Sequence, residues 1–214
     1  MEGMKRWILI VLAAVVGLAV IVDVAGRFVA EAATARALES SLKLSAQPKV
    51  TIGGFPFLTH LASGDFPSVT VRGDQVESGQ ITLQSVHAVL RDVHVPVVGL
   101  ARGRRVQVTA ATGSGAAVVT AAEITRILQN KGTGVTVEFD QGHVRVQVPG
   151  TPALIVADVA VEQGKLVLRS SRLPALGITL PQVVPGIRYT SVHVGNDAAV
   201  LGFALRHATF DVGG

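Results

Sequence analysis

An unbroken apolar run, Trp7 to Val22 (WILIVLAAVVGLAVIV), follows two cations, Lys5 and Arg6. No helix breaker appears after it. The chain reads on as VAGRFVAEAATARALESSLKL, rich in the strong helix formers Ala, Leu, Glu and Arg. One helix is therefore predicted over Lys5–Leu44, apolar on every side in its first half and amphipathic in its second. Sixteen residues span about 24 Å at ~1.5 Å per residue, short of a ~30 Å hydrocarbon core. Val24, Ala25 and Gly26 extend the span if Asp23 sits at the outer interface. The cations ahead of the run place the N-terminus in the cytoplasm and the rest on the far side of the membrane. A cleaved signal segment is the competing reading, because Ala30-Glu31-Ala32 has the small-x-small form of a cleavage site. It lies well beyond the apolar run, behind Asp23 and Arg27, which favours an uncleaved anchor. In either case the remainder is exported.

Past Asp23, the residues Val24, Phe28, Ala35, Leu38 and Leu42 form one apolar stripe, interrupted by Glu31. A second face carries Gly26, Ala30, Ala33 and Ala37, small enough to let another backbone approach. Pro48 ends the helical character, and most of the chain beyond it reads as strand. Lys49–Gly53 is a short strand. Pro56 preorganises a short helix carrying Phe57, Leu58 and Leu61, which Gly64 ends. Pro67–Gly73 alternates, and Asp74–Gly79 reads as a turn. Gln80–Val95 is a long strand with a change of phase near Gln84–Ser85. Pro96, Gly99 and Gly103 break it. Arg104–Ala111 alternates up to a Gly113-Ser-Gly115 turn. Thr120-Ala-Ala-Glu123 has the form of a capping box opening a second short helix, Ala121–Gln129.

Hairpins follow over Val135–Val148, Ala153–Arg169 and Ile187–Phe210, around Asp140-Gln-Gly, Glu162-Gln-Gly and Gly195-Asn-Asp. The Pro- and Gly-rich Pro174–Gly186 reads as irregular. Each half thus has a short helix followed by hairpins, a loose internal parallel. The predicted fold is α+β: an N-terminal transmembrane helix continuing into a long helix packed on a curved, mainly antiparallel β-sheet with two short helices. Residues 1–23 form the anchor or signal segment and 24–214 the domain.

The chemistry of a catalyst is hard to find. There is no G-x-S-x-G elbow, H-E-x-x-H motif, P-loop or dinucleotide fingerprint. With no cysteine, thiol chemistry and disulfides are excluded. The histidines 60, 87, 94, 143, 193 and 207 are dispersed, so no metal site or cofactor is indicated. Carboxylates fall mainly at turns. Asp92 and Asp158 lie in apolar strands, facing solvent or pairing with an arginine such as Arg91 or Arg145. Arg72-Gly73-Asp74 coincides with an expected turn. A net charge of +4 without a basic stripe of interleaved aromatics argues against nucleic acid.

Several strands are apolar on both faces, notably Ala116–Val119, Ala153–Val161 and Val200–Leu205, while only 4% of residues are aromatic. Small aliphatic side chains on a curved sheet either close into a plain core or enclose an apolar groove, and beside a membrane the natural occupant of a groove is an acyl chain. On that second reading Phe28, Leu38 and Leu42 on the long helix form one wall, and Phe55, Phe57, Leu58, Leu61 and Phe66 line or gate the mouth. The cluster Arg102, Arg104 and Arg105 is a candidate for a phosphate head group, or a solvated turn.

The stretch Val50–Val71 (VTIGGFPFLTHLASGDFPSVTV) resembles the signature of the LmeA-like phospholipid-binding family, a family of actinobacterial envelope proteins. Weaker matches are Asp23 with Arg27, Leu90–Pro96 (LRDVHVP), Thr120–Ile124 (TAAEI) and Pro185–Val194 (PGIRYTSVHV). The resemblance implies an exported, membrane-tethered domain similar to the tubular lipid-binding superfamily. It further implies a phospholipid partner, phosphoinositides included, and a part in maintaining lipomannan or other envelope glycolipids. A non-enzymatic lipid-binding or lipid-transfer protein is the expectation. Its rivals are an anchored scaffold of envelope biosynthesis, with a filled core and an exposed apolar patch, and an enzyme acting on envelope lipid, with a polar triad or metal cluster inside the groove.

Overall fold

A computed structural model describes residues 2–42, 46–78, 80–140, 142–151, 154–171, 173–181 and 186–212. One helix, α1, runs from Glu2 to Leu42 through the apolar segment and on into the domain. Leu44, the predicted helix end, lies outside the described residues. After α1 come β1 (Lys49–Gly53), α2 (Phe57–Ser63), β2 (Asp65–Ser78), β3 (Ile81–His94), α3 (Val97–Ala101), β4 (Val106–Thr120) and α4 (Ala121–Asn130). Seven more strands complete the chain: β5 (Thr136–Asp140), β6 (His143–Gln147), β7 (Ile155–Glu162), β8 (Lys165–Ser170), β9 (Leu173–Thr179), β10 (Ile187–Val194) and β11 (Ala198–Val212).

The fold is α+β, with two antiparallel sheets where one was predicted. The first has the order β1-β2-β3-β4-β11-β10 and the second β5-β6-β7-β8-β9. The last hairpin returns across the chain to pair β11 with β4 along their whole lengths. That long-range pairing leaves no local sequence signal.

Three predicted breaks are not breaks. Arg72-Gly73-Asp74 lies inside β2, paired with Val86 and its neighbours on β3. Gly113-Ser-Gly115 lies inside β4. A Cβ on Gly113 would stand 2.9 Å from Leu90 Cδ2 and 3.0 Å from Leu205 Cδ1, so this glycine makes room for side chains of both neighbouring strands. Pro174 falls within β9, an edge strand of the second sheet, where a missing N–H is tolerated. The break at Pro96 holds a further short helix, α3. The Thr120 cap is present: Glu123 N donates to Thr120 Oγ1 at 3.2 Å, and Ile124, Ile127 and Leu128 are buried. The Glu123 carboxylate, however, accepts from Thr82 N on β3 at 2.6 Å, and so locks α4 to the sheet.

The first sheet is creased. Pairing skips Pro67, Asp92, Ala111 and His207, which form one transverse line across β2, β3, β4 and β11. Asp92 and His207 are in the left-handed region at φ 51° and 49°. Inward residues on the two sides of this line lie three apart instead of two: Phe66 and Val69, Leu90 and Val93, Leu205 and Ala208. The phase change expected near Gln84 also occurs, without an inserted residue. Asp74–Ser85 and Val76–Leu83 keep one register, and the skipped partner Gln75 takes φ 51°.

Two apolar cores lie along this bent face. The larger joins the second sheet and α4 to the end of the first sheet that holds Leu83, Val119 and Leu201. The smaller joins α1 and α2 to the other end, through Ala35, Val50, Ile52, Phe57, Phe66, Val93 and Ala110. Both touch Leu90 and Phe210, which are only half-buried.

Candidate functional site

The site begins where α1 leaves the apolar run. Asp23 is 5% exposed, and its carboxylate accepts from Phe57 N at 2.8 Å and Leu58 N at 2.7 Å. Pro56 stands at the N-cap of α2 and offers no side-chain acceptor. Asp23 therefore caps α2 from another helix, satisfying first-turn amides that would otherwise have no partner. Two turns on, Glu31 Oε1 accepts from Ile52 N at 2.8 Å and from Arg27 Nε at 2.9 Å. Gly26 lies between, and a Cβ there would meet Leu58 Cδ2 at 3.6 Å and the Phe57 ring at 3.7 Å.

The inward face of α1 is thus Asp23, Gly26, Ala30, Glu31, Ala35 and Leu38. The predicted stripe is rotated in its first half: Val24 and Phe28 point outward, 43% and 65% exposed. Two acidic side chains that bond the domain's backbone outweigh the apolar pattern. Their spacing with Arg27, four residues apart at 23, 27 and 31, was the available signal that this face is used.

The predicted site residues divide. Phe57 and Phe66 are buried, with ring centroids 6.0 Å apart in the smaller core. Leu38 and Leu61 are half-buried against that core. Phe28, Phe55 and Leu58 are exposed, Phe28 on the outward face of α1 and Phe55 and Leu58 at the start of α2 that Asp23 caps. Leu42 closes α1, and its side chain lies outside the described residues. Arg102, Arg104 and Arg105 are exposed in the segment between α3 and β4. Along the borders of the two cores, on the inner face of the first sheet, runs a strip of half-buried apolar groups: Val69, Val71, Val86, Ala88, Leu90, Val108 and Phe210. Residues of the strip come from four strands, β2, β3, β4 and β11, so sequence periodicity does not group them.

Two surface hollows lie elsewhere. One, of about 360 Å³, sits where β6 and β7 meet β10 and is lined by His143, Asp158 and His193 among valines. The other, of about 280 Å³, lies on the outer face of the β1–β2 pair. There Lys49 stands directly opposite Arg72, and Thr51 opposite Thr70. Neither hollow contains a predicted site residue. Among the described residues no group of three His, Cys, Asp or Glu could hold a metal ion. Arg145 pairs with Asp140, and Asp92 occupies the crease.

A family model for LmeA-like phospholipid-binding proteins matches residues 21–206. The chain belongs to the LmeA-like phospholipid-binding family. No curated protein and no solved structure matches it. The LmeA-like match starts two residues before Asp23 and ends at Arg206, one residue short of the crease position His207, so it takes in the socket and most of the creased sheet and of both cores. Membership supports lipid binding in general. The helix carrying the socket is, over Leu12–Glu39, long and apolar enough to cross a membrane, with mean hydropathy 2.1.

Proposed function

We propose that this chain is a non-enzymatic phospholipid-binding protein of the cell envelope, anchored by α1 with its N-terminus in the cytoplasm and its domain on the outer side. The strip between the two cores holds an acyl chain. The observation that carries this reading is the half-buried state of that strip: an inner sheet face of valine, alanine and leucine that neither core fully covers. Each methylene moved from water onto it contributes about 0.8 kcal/mol, so eight contribute about 6 kcal/mol without any specific polar contact. Family membership and the direct continuity of α1 with the domain support the same reading, because α1 would hold the sheet beside the bilayer from which a lipid is drawn. Transfer of the lipid and support of envelope glycolipids complete the proposal.

Native mass spectrometry of the purified full chain, released from detergent in the gas phase, tests it. Bound phospholipid is expected, and Ala88→Trp, which fills the strip, should reduce it. A protein that carries no lipid, and that moves no fluorescent phospholipid between liposomes, would sink the reading.

A further inference from the structure

The apolar run is about 6 Å short of a hydrocarbon core, which is some four helical residues. Those residues are 23–26, and Asp23 is the first of them. A carboxylate at that depth is costly unless its oxygens are bonded. Here both are, by Phe57 N and Leu58 N. The α2 N-terminus must therefore lie at the same depth as the end of the transmembrane span. The exposed side chains at this end of α2 suit that depth: Phe55 is 69% exposed and Leu58 40%.

The sheet brings a second element to the same end. α2 is seven residues long, roughly 10 Å at ~1.5 Å per residue. At its far end Gly64 O accepts from Val95 N at 2.7 Å. From Val95 the chain enters α3, whose Val98 and Leu100 are 64% and 38% exposed. Arg102, Arg104 and Arg105 come next, all exposed, with no ion pair to any of them among the described residues. Exposed aliphatic groups followed by unpaired arginines make up an interfacial element: the apolar part enters the acyl boundary and the cations meet head-group phosphates.

We propose that the anchor end of the domain is a membrane-docking lip, in which Phe55 and Leu58 on α2 and Val98 and Leu100 on α3 enter the leaflet where α1 emerges, while Arg102, Arg104 and Arg105 bind anionic phospholipid head groups. The occupant is the bilayer surface itself. This rests on the reading of α1 as a membrane anchor, and it makes the domain lie on the membrane instead of hanging from it.

The chain has no cysteine, so single nitroxide labels can be placed without a background substitution. The full chain is reconstituted in nanodiscs of phosphatidylcholine with phosphatidylglycerol, carrying Phe55→Cys, Val98→Cys or, as a control, Ala122→Cys. The control lies beyond the far end of β4, roughly 45 Å of strand away at ~3.3 Å per residue. Labels at 55 and 98 should collide with oxygen several-fold more than with a water-soluble nickel chelate, and the label at 122 should show the reverse. The combined Arg102→Ser, Arg104→Ser and Arg105→Ser variant should return the label at 98 to water, as should discs of phosphatidylcholine alone. Labels at 55 and 98 as wet as that at 122 would overturn the lip. Labels shielded from both reagents would place a protein there and overturn it equally. An unmoved label at 98 in the arginine variant would overturn the head-group contact. Native mass spectrometry reads the strip independently: lipid retained while both labels stay wet removes the lip and leaves the strip.

Discussion

Replacing Asp23 with alanine tests the socket directly. The carboxylate makes two charge-assisted bonds, at 2.8 and 2.7 Å, to the first amides of a helix whose cap position is a proline. The two amides do not weigh equally. Phe57 is 1% exposed, so its freed N–H has no water to turn to and costs about 1–3 kcal/mol. Leu58 is 40% exposed, so at the bilayer boundary water or a lipid head-group oxygen replaces its acceptor at a cost of about 0.5–1 kcal/mol. Asp23→Ala should therefore destabilise the domain by about 2–4 kcal/mol, above the ~1 kcal/mol of an ordinary cap. Asp23→Asn keeps one acceptor oxygen and should cost about half as much. Chemical unfolding of the reconstituted chain reads the free energy, and amide exchange over residues 55–63 reads the place. Loss of protection should be concentrated in α2. Unchanged exchange there, with an unfolding free energy within about 0.5 kcal/mol of the parent, would refute the cap.

Three further outcomes are expected. Gly64 has φ 78° and a Cβ there would run into Val95 O, so Gly64→Ala should cost about 2 kcal/mol or more and detach α3 from α2; thermal unfolding measures the loss, and a neutral result would show that the contact is not made. The Arg126 guanidinium bonded to Glu123 holds that carboxyl below the usual range, with the Thr82 amide acting the same way. Its contribution is present above the ordinary carboxylate pKa and is lost as pH falls through the lowered value, so Glu123→Gln should flatten the acid limb of a stability-against-pH curve. Burial pushes the Tyr189 hydroxyl up to about 12, and it donates to Pro181 O at 2.8 Å. Stability should be full below about pH 10, the ordinary tyrosine value, and fall between there and about 12, a loss that Tyr189→Phe should abolish at a cost of about 1 kcal/mol at neutral pH.

Elements fixed by neighbours in sequence were readable before the structure. The Thr120 cap, the Gly64 helix end and the Gly142, Gly164 and Gly195 hairpins each depend on residues within one turn of each other. Elements fixed by distant strands were not. Gly113 and Gly115 look like a turn in one dimension, yet they face Leu90, Leu205 and Phe203, which arrive from β3 and β11. Pro174 looks like a breaker until β9 is known to be an edge. The candidate site suffered most from this. The sequence puts Phe55, Phe57, Leu58, Leu61 and Phe66 together at one mouth, and hydrophobicity alone could not say that Phe57 and Phe66 fill the core while Phe55 and Leu58 stay outside it. The strip was invisible for the same reason, since β2, β3, β4 and β11 supply it together. Asp23 was legible as a boundary and illegible as a bond.

Asp23 and Glu31 also determine what the anchor can transmit. A single bond between α1 and the domain would leave the helix free to roll about that contact. Two, eight residues apart on one face, fix both its rotation and its axial position, and Ala35 and Leu38 extend the same face into the smaller core. With α1 continuous from Glu2 to Leu42, no linker separates the span from this double clamp. On the proposed reading of α1 as a membrane anchor, helix geometry then sets the height of the strip above the bilayer. Leu90, shared by the two cores, lies beyond the crease from Val93 and so on the far side of the α1–α2 core from the anchor. An acyl chain entering past Phe55 and Leu58 would have to run along that core to reach it. Exchange of Leu61 for a bulkier apolar residue should therefore slow lipid loading while leaving the amount bound at equilibrium much less changed, a separation that loading time courses by native mass spectrometry would resolve, and equal effects on rate and amount would place the path elsewhere.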